Sequence, residues 1–235
     1  MFSPQGPSLR ELCVQALSSV ERGYDHLAPK FDHTPFRTPE SILDASARAL
    51  SPAGPFRRGL DVCCGTGAGL TVLERLCRER VTGVDFSVGM LEQARGAVPA
   101  AALVRADVRT LPFAGGFDLA LTFGALGHFL PSERPAIFEG VHRALVPGGL
   151  FAVGLGELPA QTTRAYWVSL GFDVAMLVRN SVVLPSFVMY YRTTTVPAVR
   201  RDLWAAGFTV ETLDLTAEEP AGGLRFSLLL ARKPR

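Results

Sequence analysis

Short apolar runs alternate with amphipathic stretches through the middle of the chain. Runs at 59–63, 81–85, 101–106, 117–123 and 149–155 read as buried strands, and the stretches 68–79, 87–97 and 133–145 repeat apolar residues at helical spacing. This alternation predicts an α/β fold, with a mainly parallel sheet, right-handed crossovers and helices on both faces. Ahead of it, residues 8–22 set Leu9, Leu12, Cys13, Ala16, Leu17 and Val20 on one helical face, and residues 40–50 read as another helix. Between the two, Tyr24 to Pro39 is too aromatic for a linker and too rich in proline for a long helix. It predicts either a segment folded over a site or a surface loop pinned by Phe31 and Phe36. At the other end, a helix at 196–206 precedes strands at 207–213 and 226–230, joined as a hairpin through Pro220-Ala221-Gly222-Gly223. Residues 156–195 keep the rhythm less well and carry Tyr166, Trp167, Phe172, Met176, Phe187, Met189, Tyr190 and Tyr191.

The first strand runs into a glycine-rich turn, Asp61-Val62-Cys63-Cys64-Gly65-Thr66-Gly67-Ala68-Gly69, and the second ends on Asp85, 20 residues after Gly65. That spacing suits a carboxylate that accepts from ribose hydroxyls. A dinucleotide would also need its pyrophosphate at the helix N-terminus, and here the pattern fails: Leu70 stands where the third glycine of G-x-G-x-x-G belongs. Asp61 at the entrance of the turn would repel a pyrophosphate and attract an ammonium group.

The segment Leu60 to Gly67 resembles the first motif of the class I S-adenosylmethionine-dependent methyltransferases. Cys63 departs from it, standing where the family usually has its first glycine. A thiol fits there with φ below zero, so the backbone is expected to leave the family's path at this residue. The resemblance implies a Rossmann-like, seven-stranded, mainly parallel sheet with one antiparallel strand. It also implies an N-terminal helical cap over 1–50 and a core over 51–235, in which 156–195 covers the acceptor. Asp61, Cys63, Cys64, Gly65, Thr66 and Gly67 would cradle S-adenosylmethionine, with Asp85 on its ribose. Phe86 and Met90 would flank the adenine or pack in the core. Asp107, with Val108 beside it, would accept from the adenine amino group or stand as a solvated loop aspartate. Phe123 and Gly124 would lie against the cofactor, and Tyr24 and Arg37 would meet its methionine end or the acceptor. His128 is the one candidate acid or base near the methyl group, unless its role is structural. The nearest branch is that of the ubiquinone and menaquinone biosynthesis enzymes, which implies a small, apolar or aromatic acceptor.

Charge and composition narrow the partners. The 24 basic and 22 acidic residues are interspersed, giving a net charge of +2 and no polybasic face for nucleic acid. Phe123-Gly124-Ala125-Leu126 occupies the place of the Asn/Asp-Pro-Pro-Tyr tetrapeptide of amino-methylating DNA enzymes. With no bilayer-length apolar run and no charged leader, the chain reads as cytoplasmic and without stable membrane insertion. Its four cysteines lack C-x-x-C spacing, so no metal is expected. An NAD-dependent oxidoreductase is the enzymatic alternative on the same turn, and a non-catalytic cofactor-binding scaffold is the other.

Overall fold

The computed structural model describes residues 5–34, 36–157, 161–182, 194–216 and 225–235. Seven strands form one sheet in the order β3-β2-β1-β4-β5-β7-β6: β1 (Gly59–Val62), β2 (Val81–Asp85), β3 (Ala102–Arg105), β4 (Phe117–Phe123), β5 (Leu145–Gly156), β6 (Thr209–Asp214) and β7 (Phe226–Arg232). The first five are parallel, while β7 runs antiparallel to both of its neighbours, β5 and β6. The expected single antiparallel strand is therefore β7. The proposed turn at 220–223 lies outside the described residues.

Successive side chains of a strand point to opposite faces, so each strand feeds two cores. On one face, Leu60, Val62, Phe151 and Val153 pack with Ile137, Phe138 and Val141 of α6 (Arg134–Ala144) and with Val199 and Leu203 of α8 (Val196–Ala205). On the other, Leu119, Leu121 and Leu150 meet α3 (Glu40–Leu50), α4 (Ala68–Leu76) and α5 (Val88–Ala97) through Ile42, Leu43, Leu70, Leu73 and Leu91. Each fully buried Leu or Phe of these layers contributes roughly 2–3 kcal/mol.

Two regions differ from the sequence reading. The stretch 8–22 is broken into α1 (Leu9–Leu17) and α2 (Val20–Leu27), because serines restart the helix. Ser8 and Glu11 form a capping box on α1, and the Ser19 side chain accepts from Arg22 N at the head of α2. Tyr24 is thus helical, and Pro29 opens the following 3-10 turn, Ala28–His33. Within 156–195 a 19-residue helix, α7 (Arg164–Val182), buries Met176 and Asp173 and exposes Trp167, Val174, Leu177, Val178 and Val182. Phe187, Met189, Tyr190 and Tyr191 lie outside the described residues. No described helix is long and apolar enough to cross a membrane.

Candidate functional site

An open cleft lies at the carboxyl ends of β1, β2 and β4, where ligands of open α/β sheets bind. Its floor is the turn after β1. Asp61 ends up 2% exposed there, with Leu70 N–H donating to it from the first turn of α4. A Cβ on Gly69 would meet Asp61 Oδ2 at 2.5 Å, so only glycine lets the helix start so close to the carboxylate. Asp61 Oδ2 has no hydrogen-bond partner. Burial, reinforced by the nearby Asp85 charge, pushes the Asp61 carboxyl up to about 8. The site thus holds a buried carboxyl that keeps one oxygen unpaired among the described residues.

Asp85 closes β2 and is also buried. One of its oxygens accepts from Gly65 N (2.9 Å) and the other from Ser87 N (3.0 Å). Burial raises its pKa, against the lowering effect of these backbone donors. Beside it, Cys63 has φ of 61°, the one positive φ outside glycine among the described residues. The expectation of a negative φ is corrected here: the chain keeps a left-handed turn and places a cysteine in it, at a strain of roughly 1–2 kcal/mol. Burial first, then the carboxylates of Asp85, Asp61 and Asp107, hold the Cys63 thiol well above the ordinary range and so uncharged. Cys64 turns toward β2, where a Cβ on Gly83 would meet its sulfur at 2.9 Å.

The far wall comes from the N-terminal segment, which is tied to the sheet by side chains. Asp25 accepts from Ser87 Oγ (2.6 Å) and Gly89 N (3.0 Å), so it sits at the N-terminus of α5. Thr66 Oγ1 donates to Asp32 Oδ1 (2.7 Å). Arg37 lines the cleft with its guanidinium 3.4 Å from Asp32 and 2.5 Å from Glu40. Tyr24 reaches His128, whose short turn, Leu126–His128, follows β4. Of the residues singled out from the sequence, Tyr24, Arg37, Asp61, Cys63, Cys64, Gly65, Thr66, Asp85, Phe86, Met90, Phe123, Gly124 and His128 share this cleft.

Gly67, Asp107 and Val108 are not part of its lining. Gly67 caps α4 in the left-handed region, where a Cβ would come within 3.3 Å of the Ala94 backbone, so its role is close helix packing. Asp107 accepts from Arg109 N and is clasped by the Arg109 guanidinium, which lowers its pKa. Val108 is buried in the core. The reading by motif missed Phe31, Phe36, Thr38 and Phe129 as cleft residues. Only the aromatic density of 24–39 signalled the first two.

Residues 60–149 match a methyltransferase domain family. An uncharacterized methyltransferase of Synechocystis sp. is 38% identical over 123 residues, covering 52% of this chain and 57% of the relative. Over these residues the chain is similar to methyltransferases, in line with the resemblance of its first motif. A trans-aconitate 2-methyltransferase of Rhizobium leguminosarum is 31% identical, over 66% of this chain and 63% of the relative. The matches thus span less than two thirds of these curated relatives. Magnesium protoporphyrin IX methyltransferase from Synechocystis, solved with bound S-adenosylhomocysteine, has the same fold. Its TM-score is 0.59 at 16% identity, covering 82% of this chain and 81% of that one. The buried Asp61 carboxyl, with one oxygen unpaired among the described residues, fits a ligand that carries an ammonium group and no phosphate, as S-adenosylmethionine does.

Proposed function

We propose that this chain transfers a methyl group from S-adenosylmethionine to a small, apolar or aromatic molecule, in the cytoplasm and without a nucleic-acid partner. The observation that carries the cofactor half is the Asp61 carboxyl, buried in the cleft floor with one oxygen unpaired. In this reading Asp61 pairs with the cofactor ammonium, Asp85 accepts from the ribose hydroxyls, and Phe86 and Met90 flank the adenine. Cys63, Cys64, Gly65 and Thr66 form the turn against which the cofactor lies, and Phe123 and Gly124 bound it from β4. Asp107 and Val108 would serve the adenine only after the Arg109 clasp turns aside. When bound, the cofactor supplies a methyl group on a sulfonium leaving group. The chain's own part is to align the acceptor and exclude water.

The acceptor half rests on the rings. Tyr24, Phe31, Phe36, Phe123 and Phe129 line the cleft, whereas its one cationic side chain among the described residues, Arg37, already faces Asp32 and Glu40. A relative named for trans-aconitate suggests an anionic acceptor, but a guanidinium matched by two carboxylates is poorly placed to hold one. Calorimetry tests the cofactor reading: S-adenosylhomocysteine should bind at micromolar concentration and NAD should not. The reverse order of affinities would replace methyl transfer with hydride transfer.

A further inference from the structure

Tyr24 and His128 come from elements 104 positions apart and meet inside the cleft. The Tyr24 hydroxyl lies 2.7 Å from His128 Nε2, and the rings stand edge to face at 5.1 Å and 87°. Neither partner is placed by chance. Asp25, the residue after Tyr24, anchors α2 to Ser87 and Gly89, while His128 is set by its own N–H bond to Ala125 O (3.0 Å). Both side chains line the cleft that holds Asp61 and Asp85.

We propose that Tyr24 and His128 form a proton relay for an acceptor whose nucleophile carries a hydrogen, that is, a hydroxyl or an amine. This rests on the methyl-transfer reading above and adds the chemical class of the acceptor. The acceptor's proton passes to Tyr24 oxygen as the Tyr24 proton passes to His128 Nε2. The electron pair freed on the acceptor takes the methyl carbon, and the pair of the broken carbon–sulfur bond stays on sulfur. The imidazolium later returns a proton through Tyr24, whose own proton leaves to solvent. A hydroxyl 2.7 Å from a ring nitrogen is within transfer distance. A carboxylic acceptor would give the pair no task, because a carboxylate is ionised at neutral pH. The relay requires His128 to carry its hydrogen on Nδ1 and to leave Nε2 bare.

Two measurements on the full chain test this. In 15N-histidine NMR, wild-type His128 should show the Nδ1–H tautomer with Nε2 as a hydrogen-bond acceptor, and Tyr24→Phe should shift that Nε2 resonance. Methyl transfer from tritiated S-adenosylmethionine is then measured with a panel of small phenols, alkylamines and carboxylic acids. Turnover should be confined to phenols or amines, with kcat about 100-fold lower in Tyr24→Phe and both the acceptor KM and the S-adenosylhomocysteine Kd within about twofold. A His128 spectrum indifferent to Tyr24→Phe, full turnover by Tyr24→Phe, or a preference for carboxylic acids would each overturn the relay. Failure of wild type to bind S-adenosylhomocysteine would instead remove the methyl-transfer reading, and the NMR result stands apart from it.

Discussion

Replacing Asp61 by Asn isolates the buried carboxyl in the cleft floor that keeps one oxygen unpaired among the described residues. With its pKa pushed up to about 8, Asp61 is mostly protonated at pH 7 and still more so at pH 6. If the cofactor ammonium binds only the carboxylate, ionising the group costs on the order of 1 kcal/mol at pH 7, and affinity falls several-fold, up to about tenfold, from pH 7 to pH 6. Close to one proton is released for each ligand bound at pH 7. Titration calorimetry with S-adenosylhomocysteine in two buffers of different ionisation enthalpy reads that proton directly, over a pH range that keeps the ligand ammonium charged. Asp61→Asn should bind more weakly at pH 7 and show neither the pH slope nor the proton release. The stability of the ligand-free protein gives a second reading with a defined sign. Between about pH 4 and pH 8 the folded state keeps on Asp61 a proton that the unfolded chain has lost, so this group's contribution to stability declines with rising pH, by on the order of 1 kcal/mol per unit. Asp61→Asn should remove that decline and raise Tm at neutral pH. An affinity that is flat between pH 6 and 7, with no buffer dependence, would refute the pairing of Asp61 with an ammonium group.

Other substitutions probe the rest of the cleft. Asp85→Ala should weaken S-adenosylhomocysteine binding tenfold or more, about 1.4 kcal/mol, and unchanged binding in the same calorimeter would take the ribose away from this residue. Gly69→Ala should abolish cofactor binding, since its Cβ would meet Asp61 Oδ2 at 2.5 Å. Tight binding by that variant would mean that the helix start yields without harm. Cys63→Gly should raise Tm slightly, because relief of about 1–2 kcal/mol of left-handed strain exceeds the roughly 0.5–1 kcal/mol entropic cost of glycine. A fall in thermal denaturation temperature would show that thiol packing outweighs the strain.

The sheet was legible because buried parallel strands and their crossover helices write their periods into the chain, and Asp85 could be placed from strand length and spacing alone. Other features left no such trace, even where they are local. Nothing near Asp107 in the sequence distinguishes a carboxylate free for adenine from one clasped by Arg109, two residues on. The φ of Cys63 is imposed by the turn between β1 and α4, and a cysteine carries no signal for it. The break between α1 and α2 was written in Ser18-Ser19, but apolar residues on both sides kept the helical period and masked the cap. Helix α7 was hidden for the opposite reason: its apolar residues are spread around the axis, and several stay exposed, so no single face announced the period.

The position of β7 between β5 and β6 also sets a timetable for synthesis. Of the seven strands β7 is the last to be translated, yet it covers the edge of β5 along Leu150–Gly156. Until residue 232 has left the ribosome, that apolar edge has no partner in the nascent chain, and β6 has no strand through which to join the sheet. The five parallel strands are complete in the chain before β7 is made, and until then β5 is an open flank. Chaperone engagement and aggregation during expression should therefore depend on how quickly this final segment arrives.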